Sequence, residues 1–139
     1  EFNVRFGDPD CQVVVPGLSG DVTALLVSAA AGALDASFVR PAHDVAVAVV
    51  VASDEPAGGV ITGTDVAGSV PGVTVYHART AEHAGALVTA GPGRVLSVTG
   101  RGRDIAEART RAYAGAGKIS FPGAYHRTDI AAHVKESEQ

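Results

Sequence analysis

Residues 1–6 alternate strictly, with Glu1, Asn3 and Arg5 on one side of an extended chain and Phe2, Val4 and Phe6 on the other. The pattern predicts a strand with a polar working face. Gly7-Asp8-Pro9-Asp10 reads as a turn, and residues 13–15 as a short extended piece ended by Pro16-Gly17. Ser19-Gly20-Asp21 can cap a helix running to about Gly32, with Val22, Leu25, Leu26, Ala29 and Ala33 as its apolar stripe. Residues 45–52 are apolar at both alternating sets, which predicts a central strand buried on both faces.

Further on, 56–59 reads as a loop and 63–65 as a turn. Strands are expected at 73–77, 86–90 and 94–99, with a turn at 83–85 and Gly91-Pro92-Gly93 before the last strand. Asp104-Ile-Ala-Glu107 has capping-box spacing and opens a second helix. Ile105, Ala108, Ala112, Tyr113 and Ala116 form its buried stripe, and Gly115 and Gly117 end it. Residues 119–121 suit a short edge strand, and 133–139 a frayed polar tail. Several short strands and two helices, without regular βαβ alternation, predict an α+β fold: a small mixed or antiparallel sheet with the helices from Asp21 and Asp104 packed on it through Leu25, Leu26, Ile105 and Tyr113.

Composition changes the expected core. The 139 residues hold 25 Ala and 21 Val, only 5% aromatics, and no Trp or Met, so packing must rest on small side chains closely approached. A net charge of −4 argues against a nucleic-acid binder held by positive charge. One cysteine excludes an internal disulfide and fits a reducing, cytoplasmic setting. The longest apolar runs, 22–31 and 45–52, fall short of the roughly 20 residues that span a bilayer. The first residue is not Met and the opening reads as mid-strand, so a piece of a longer protein is expected.

Candidate chemistry is sparse. Glu1 and Asn3 on one strand face offer oxygen ligands to a hard cation, and Arg5 beside them a fork for phosphate or carboxylate. A solvated strand face is the plainer reading of that pattern taken alone. Gly100-Arg-Gly102 lacks the third glycine of a dinucleotide fingerprint, Ile105 standing there, and reads as a tight strand-to-helix connection. Arg101, Arg103, Arg109 and Arg111 read as a solvated helix face. His43, His77, His83, His126 and His133 show no metal-ligand spacing, and Cys11 has no base beside it in sequence.

Residues 1–12, E-F-N-V-R-F-G-D-P-D-C-Q, resemble the end of the ATP-grasp domain in the phosphoribosylamine–glycine ligase family, which reads E-F-N-x-R-F-G-D-P-E-x-Q. Further likenesses follow in order: residues 73–80 to V-F-H-A-G-T, 91–99 to G-G-R-V-L-x-V-T, 107–113 to E-A-x-x-x-A-Y, and 121–130 to F-x-G-x-x-x-R-x-D-I-G. Asp10 stands for Glu, Pro92 for Gly, Arg79 for Gly and Ala131 for Gly.

The resemblance implies that 1–18 closes an ATP-grasp domain and 19–139 forms a C-terminal α+β domain. It implies an ATP-dependent ligase of purine biosynthesis that joins glycine to phosphoribosylamine through a glycyl phosphate. Glu1 and Asn3 become ligands of Mg²⁺ (or Mn²⁺), Arg5 and Asp8 catalytic residues, and Arg94 a contact to the sugar phosphate. The nucleotide-binding portion would lie upstream in the same protein, as its partner, and the fragment alone would be inactive. The contrasting expectations are a non-catalytic β-rich packing or regulatory module, which has no reason to carry the motif of residues 1–12, and another ATP-grasp ligase or carboxylase with a similar C-terminal domain, against which Phe6-Gly-Asp-Pro9 argues.

Overall fold

A computed structural model describes residues 5–133 of the chain. Its centre is a three-stranded antiparallel sheet ordered β3 (Val45–Ser53), β7 (Gly93–Gly102), β4 (Val73–His77). In register, Val47 and Val73 both face Gly100 across the ladders. The chain is therefore α+β, as its pattern predicts, but the centre is occupied differently. β7 is the central strand, buried continuously from Val95 to Gly100. The strand at 45–52 is an edge strand: Val47, Val49 and Val51 are buried, while Ala46, Ala48, Val50 and Ala52 are only half-buried. Those small side chains leave their face for a helix and a loop to cover, not a second layer.

On the buried face lies α4 (Ile105–Ala116). Asp104 caps it, its Oδ1 accepting from the Glu107 amide at 2.7 Å, and Glu107 reaches back to the Arg103 amide at 2.9 Å. Ala108, Ala112, Gly115 and Ala116 are buried against the sheet, and Ile105 and Tyr113 pack at the margin. Four small residues at helical spacing let the helix backbone approach β7 closely. That is why the core needs no large aromatics.

Two further helices appear where none was expected. α1 (Cys11–Val14) replaces the extended piece at 13–15, and α3 (Thr64–Gly68) replaces the turn at 63–65. Asp10 O accepts from the amides of Val13 and Val14, so the local turn overrides the β preference of three consecutive valines. A two-stranded ribbon pairs β1 (Leu18–Gly20) with β2 (Val39–Pro41). Between them run α2 (Val22–Ala30), capped by Asp21 at 2.8 Å, and a 3-10 turn at Ala36–Phe38. The helix is where the sequence predicts it, but it does not pack on the sheet. None of its residues is buried, and Leu26 is 46% exposed. Residues 119–121 give a single bridge, Thr62 to Ser120, and no strand. Most of the strand predicted at 1–6, and nearly all of the predicted polar tail, lie outside the described residues; Arg5 and Phe6 are not in a strand.

A second hairpin, β5 (Thr80–His83) with β6 (Ala86–Thr89), turns through Ala84 and Gly85 at φ 50° and 78°. Both central residues are left-handed, as a type I′ turn requires, and Ala is poorly suited to that conformation. Ala84→Asn is expected to stabilise the chain by about 0.5–1 kcal/mol, read as a higher urea midpoint with an unchanged m-value. Ala131, where the family pattern has glycine, also sits at φ 54°.

Candidate functional site

The turn at residues 7–10 is held from two directions. Within it, Gln12 Nε2 donates to Asp8 Oδ1 at 3.3 Å. From the sheet, Arg94 Nη1 donates to the Asp8 carbonyl oxygen and lies 3.6 Å from Asp8 Oδ2. Five residues along β7, Thr99 Oγ1 donates to the Gln12 carbonyl at 3.0 Å. The central strand thus grips both ends of the segment 8–12. Arg94 can reach because it opens β7 directly after Gly93, whose φ of 107° turns the chain into the strand.

Beside this clasp is a cavity of about 320 Å³, lined by Pro9, Val50, Arg94, Tyr125, His126 and Arg127 among others. Its far wall, residues 125–130, is fastened to α4. Tyr113 OH donates to the Arg127 carbonyl at 2.8 Å and accepts from the Ile130 amide at 3.1 Å. Arg109 stacks on the Tyr113 ring at 4.7 Å and donates to the carbonyls of Thr128 and Ile130. A larger hollow of about 630 Å³ beside Asp104, Arg109 and Thr110 holds none of the candidate site residues, and Arg109 there is already engaged.

The cavity's two guanidiniums differ. Arg127 forms a fork-to-fork pair with Asp129, Nε to Oδ1 at 2.9 Å and Nη2 to Oδ2 at 2.7 Å. That hydrogen bond holds the Asp129 carboxyl below the usual aspartate range and raises Arg127. Because the folded value is depressed, the pair's contribution is present above the ordinary aspartate value near 4 and fades as pH falls through the folded value. The pair is exposed, so its contribution to stability is small. A carbon-detected titration should place Asp129 below the ordinary aspartate range, and Arg127→Ala should raise it back. Arg94, in contrast, uses only Nη1 among the described residues.

Of the sequence candidates, Asp8 and Arg94 are brought together. Arg5 is exposed and, among the described residues, its Nη1 donates to the Phe6 carbonyl. Glu1 and Asn3 lie outside the described residues. Gln12, Thr99 and His126 were not singled out as site residues, although Gln12 closes the motif of residues 1–12 and Thr99 the likeness at 91–99. The basic run is structurally engaged: Arg101 pairs with Asp44 at 3.2 Å, and Arg111 with Glu107 at 2.8 Å. Among the described residues no three His, Cys, Asp or Glu side chains gather as a metal site. Asp8 faces a guanidinium, which disfavours a cation beside it. No helix among them is long and apolar enough to cross a membrane.

The fold and the clasp define a small α+β domain whose central strand secures a turn from a preceding segment. Residues 46–133 match the family model of the phosphoribosylglycinamide synthetase C domain, and the chain belongs to that family. The phosphoribosylamine–glycine ligase of Leifsonia xyli is 49% identical, the match covering 96% of this chain and 34% of the relative. That of Streptomyces coelicolor is 46% identical over 95% and 33%. A crystal structure of phosphoribosylamine–glycine ligase from Thermotoga maritima superposes with a TM-score of 0.78 at 33% identity, over 94% of this chain and 32% of that one. The chain spans about a third of the length of these relatives.

Proposed function

We propose that the chain is the C-terminal portion of an ATP-dependent ligase that joins glycine to phosphoribosylamine in cytoplasmic purine biosynthesis. The observation that supports this most is the clasp: the C domain's Arg94 and Thr99 hold Asp8 and Gln12 of the ligase-like motif. A domain that merely packed beside its neighbour would not aim its central strand at that turn.

In this reading a glycine carboxylate oxygen attacks the terminal phosphorus of ATP, giving glycyl phosphate and ADP. The amine of phosphoribosylamine then attacks the acyl carbon, and phosphate leaves with the C–O bond electrons. Positioning and charge stabilisation carry such a transfer. Arg5 and Asp8 orient phosphate and substrate. Arg94 fixes the Asp8 turn through Nη1 and offers its remaining nitrogens to the sugar phosphate. Glu1 and Asn3, not Asp8, would hold Mg²⁺ (or Mn²⁺), which would supply neutralisation of phosphate charge.

The test is an assay of the intact polypeptide and of the 139-residue chain with ATP, glycine and phosphoribosylamine. The intact protein should release ADP and phosphate in equal amounts, dependent on both co-substrates. The chain alone should release neither. Turnover that does not require phosphoribosylamine would overturn the assignment.

A further inference from the structure

The first part of the chain is folded yet has no interior. Among the described residues none before Val47 is buried, although α1, β1, α2 and β2 are all formed there. From Val22 to Leu34 there is no charged residue at all. The side chains in and just after α2 are large, apolar and open: Val27 is 63% exposed, Leu34 67% and Phe38 41%. Only Thr23 and Ser28 break the apolar surface of α2; a helix apolar nearly all round belongs against other protein, and exposed large apolar side chains gathered on one short segment mark an interface.

We infer that the face formed by α2 and residues 31–38 is the seat for the rest of the same polypeptide, the roughly two thirds of the relatives' length that this chain does not span. Three observations select that occupant. The matched family model is a C domain that begins at residue 46, so the unit 18–42 falls outside it. That unit makes its main contacts within itself: β1 pairs β2, and α2 lies on the 3-10 turn, while the sheet's own helix is α4. A lipid surface would call for several Lys or Arg flanking the apolar face, and the flanking charges are Asp21, Asp35 and a single Arg40. The C-terminal domain's boundary then falls after residue 42, not at 18, and 18–42 is an outlying part of the upstream domain. This inference rests on family membership and packing, and is independent of the reaction.

Hydrogen exchange on the intact polypeptide tests it. The α2 amides should exchange about as slowly as those of α4, at least about a hundredfold slower than a solvent-exposed helix of that length, and independently of protein concentration. The double variant Val27→Glu/Leu34→Glu should lower the intact protein's melting temperature and abolish that protection, whereas Val60→Glu, at a site equally open in the C domain, should do neither. Fast α2 exchange in the intact protein would overturn the inference. So would protection that appears only at high concentration, meaning a second copy, or only with vesicles of mixed zwitterionic and anionic phospholipid, meaning a membrane. If the double variant does not accumulate folded, Val27→Ser/Leu34→Ser replaces it, with the same outcomes.

Discussion

Gly100→Ala is expected to destabilise the chain by at least about 3 kcal/mol, more than a single methyl group ordinarily costs in an interior. Gly100 lies near the end of the central strand, opposite Val47 on one side and Val73 on the other. A Cβ there would collide with the Ala108 carbonyl oxygen and the Ala112 amide nitrogen of α4. Both are backbone atoms, so no rotamer change relieves the contact. Gly102 is close behind, its Cβ meeting the Ala108 amide at 2.6 Å. The helix would have to lift off the sheet, and the burial of Ala108, Ala112 and Ala116 would be lost along the whole interface. Against a typical total of about 5–15 kcal/mol, that is a large share. Gly68→Ala is the control: it lies in α3 with nothing near its missing Cβ, and should be neutral or slightly stabilising. Equal urea midpoints for the Gly100 variant and the parent chain would show that helix and sheet are not in close contact.

The same glycines show what the sequence could and could not disclose. Gly100-Arg-Gly102 reads as a strand-to-helix connection in sequence, but its residues are the end of β7 and the connection is only Arg103-Asp104. The caps at Asp21 and Asp104 were readable because a short polar side chain before an apolar-periodic run has one obvious use. The strand at 73–77 was readable from its alternation. Which strand is central was not. The 45–53 run is more apolar than β7, yet β7 is buried on both faces because its Ser97, Thr99 and Gly100 are small, and Thr99 finds a partner in Gln12. Of the β5–β6 hairpin the turn at 83–85 and the strand after it were readable, but β5 was not, because Thr80-Ala-Glu-His83 offers a single apolar residue and no alternation. For α2, the apolar positions were legible but their destination was not, since periodicity reports that a face wants covering and not what covers it. In the site, Asp8 and Arg94 were each marked by motif resemblance, but 86 positions separate them, and only the fold makes them a pair.

In the intact protein, Arg94→Ala is expected to lower kcat/KM for phosphoribosylamine by about a hundredfold or more, roughly 3 kcal/mol of transition-state stabilisation. The loss has two sources that substitutions can separate. Arg94 holds the turn mainly through the Asp8 carbonyl oxygen, a backbone atom that survives any change of the Asp8 side chain. Asp8→Ala therefore removes the carboxylate, 3.6 Å from the guanidinium, while leaving the stronger anchor in place. If Arg94 acted only by orienting that carboxylate, the double variant Asp8→Ala/Arg94→Ala would be no worse than Asp8→Ala. With Arg94 also reaching the sugar phosphate, the double variant should be worse, and the excess should fall on KM for phosphoribosylamine more than on KM for ATP. Arg94→Lys sharpens the distinction. An ammonium can serve a phosphate as a point charge, but it cannot grip the carbonyl and a phosphate together as a planar fork does. It should recover part of the KM effect and little of kcat. Unchanged KM values for Arg94→Ala, with a lower melting temperature as the sole effect, would mean that Arg94 is a fastening of the Asp8 turn and touches no substrate.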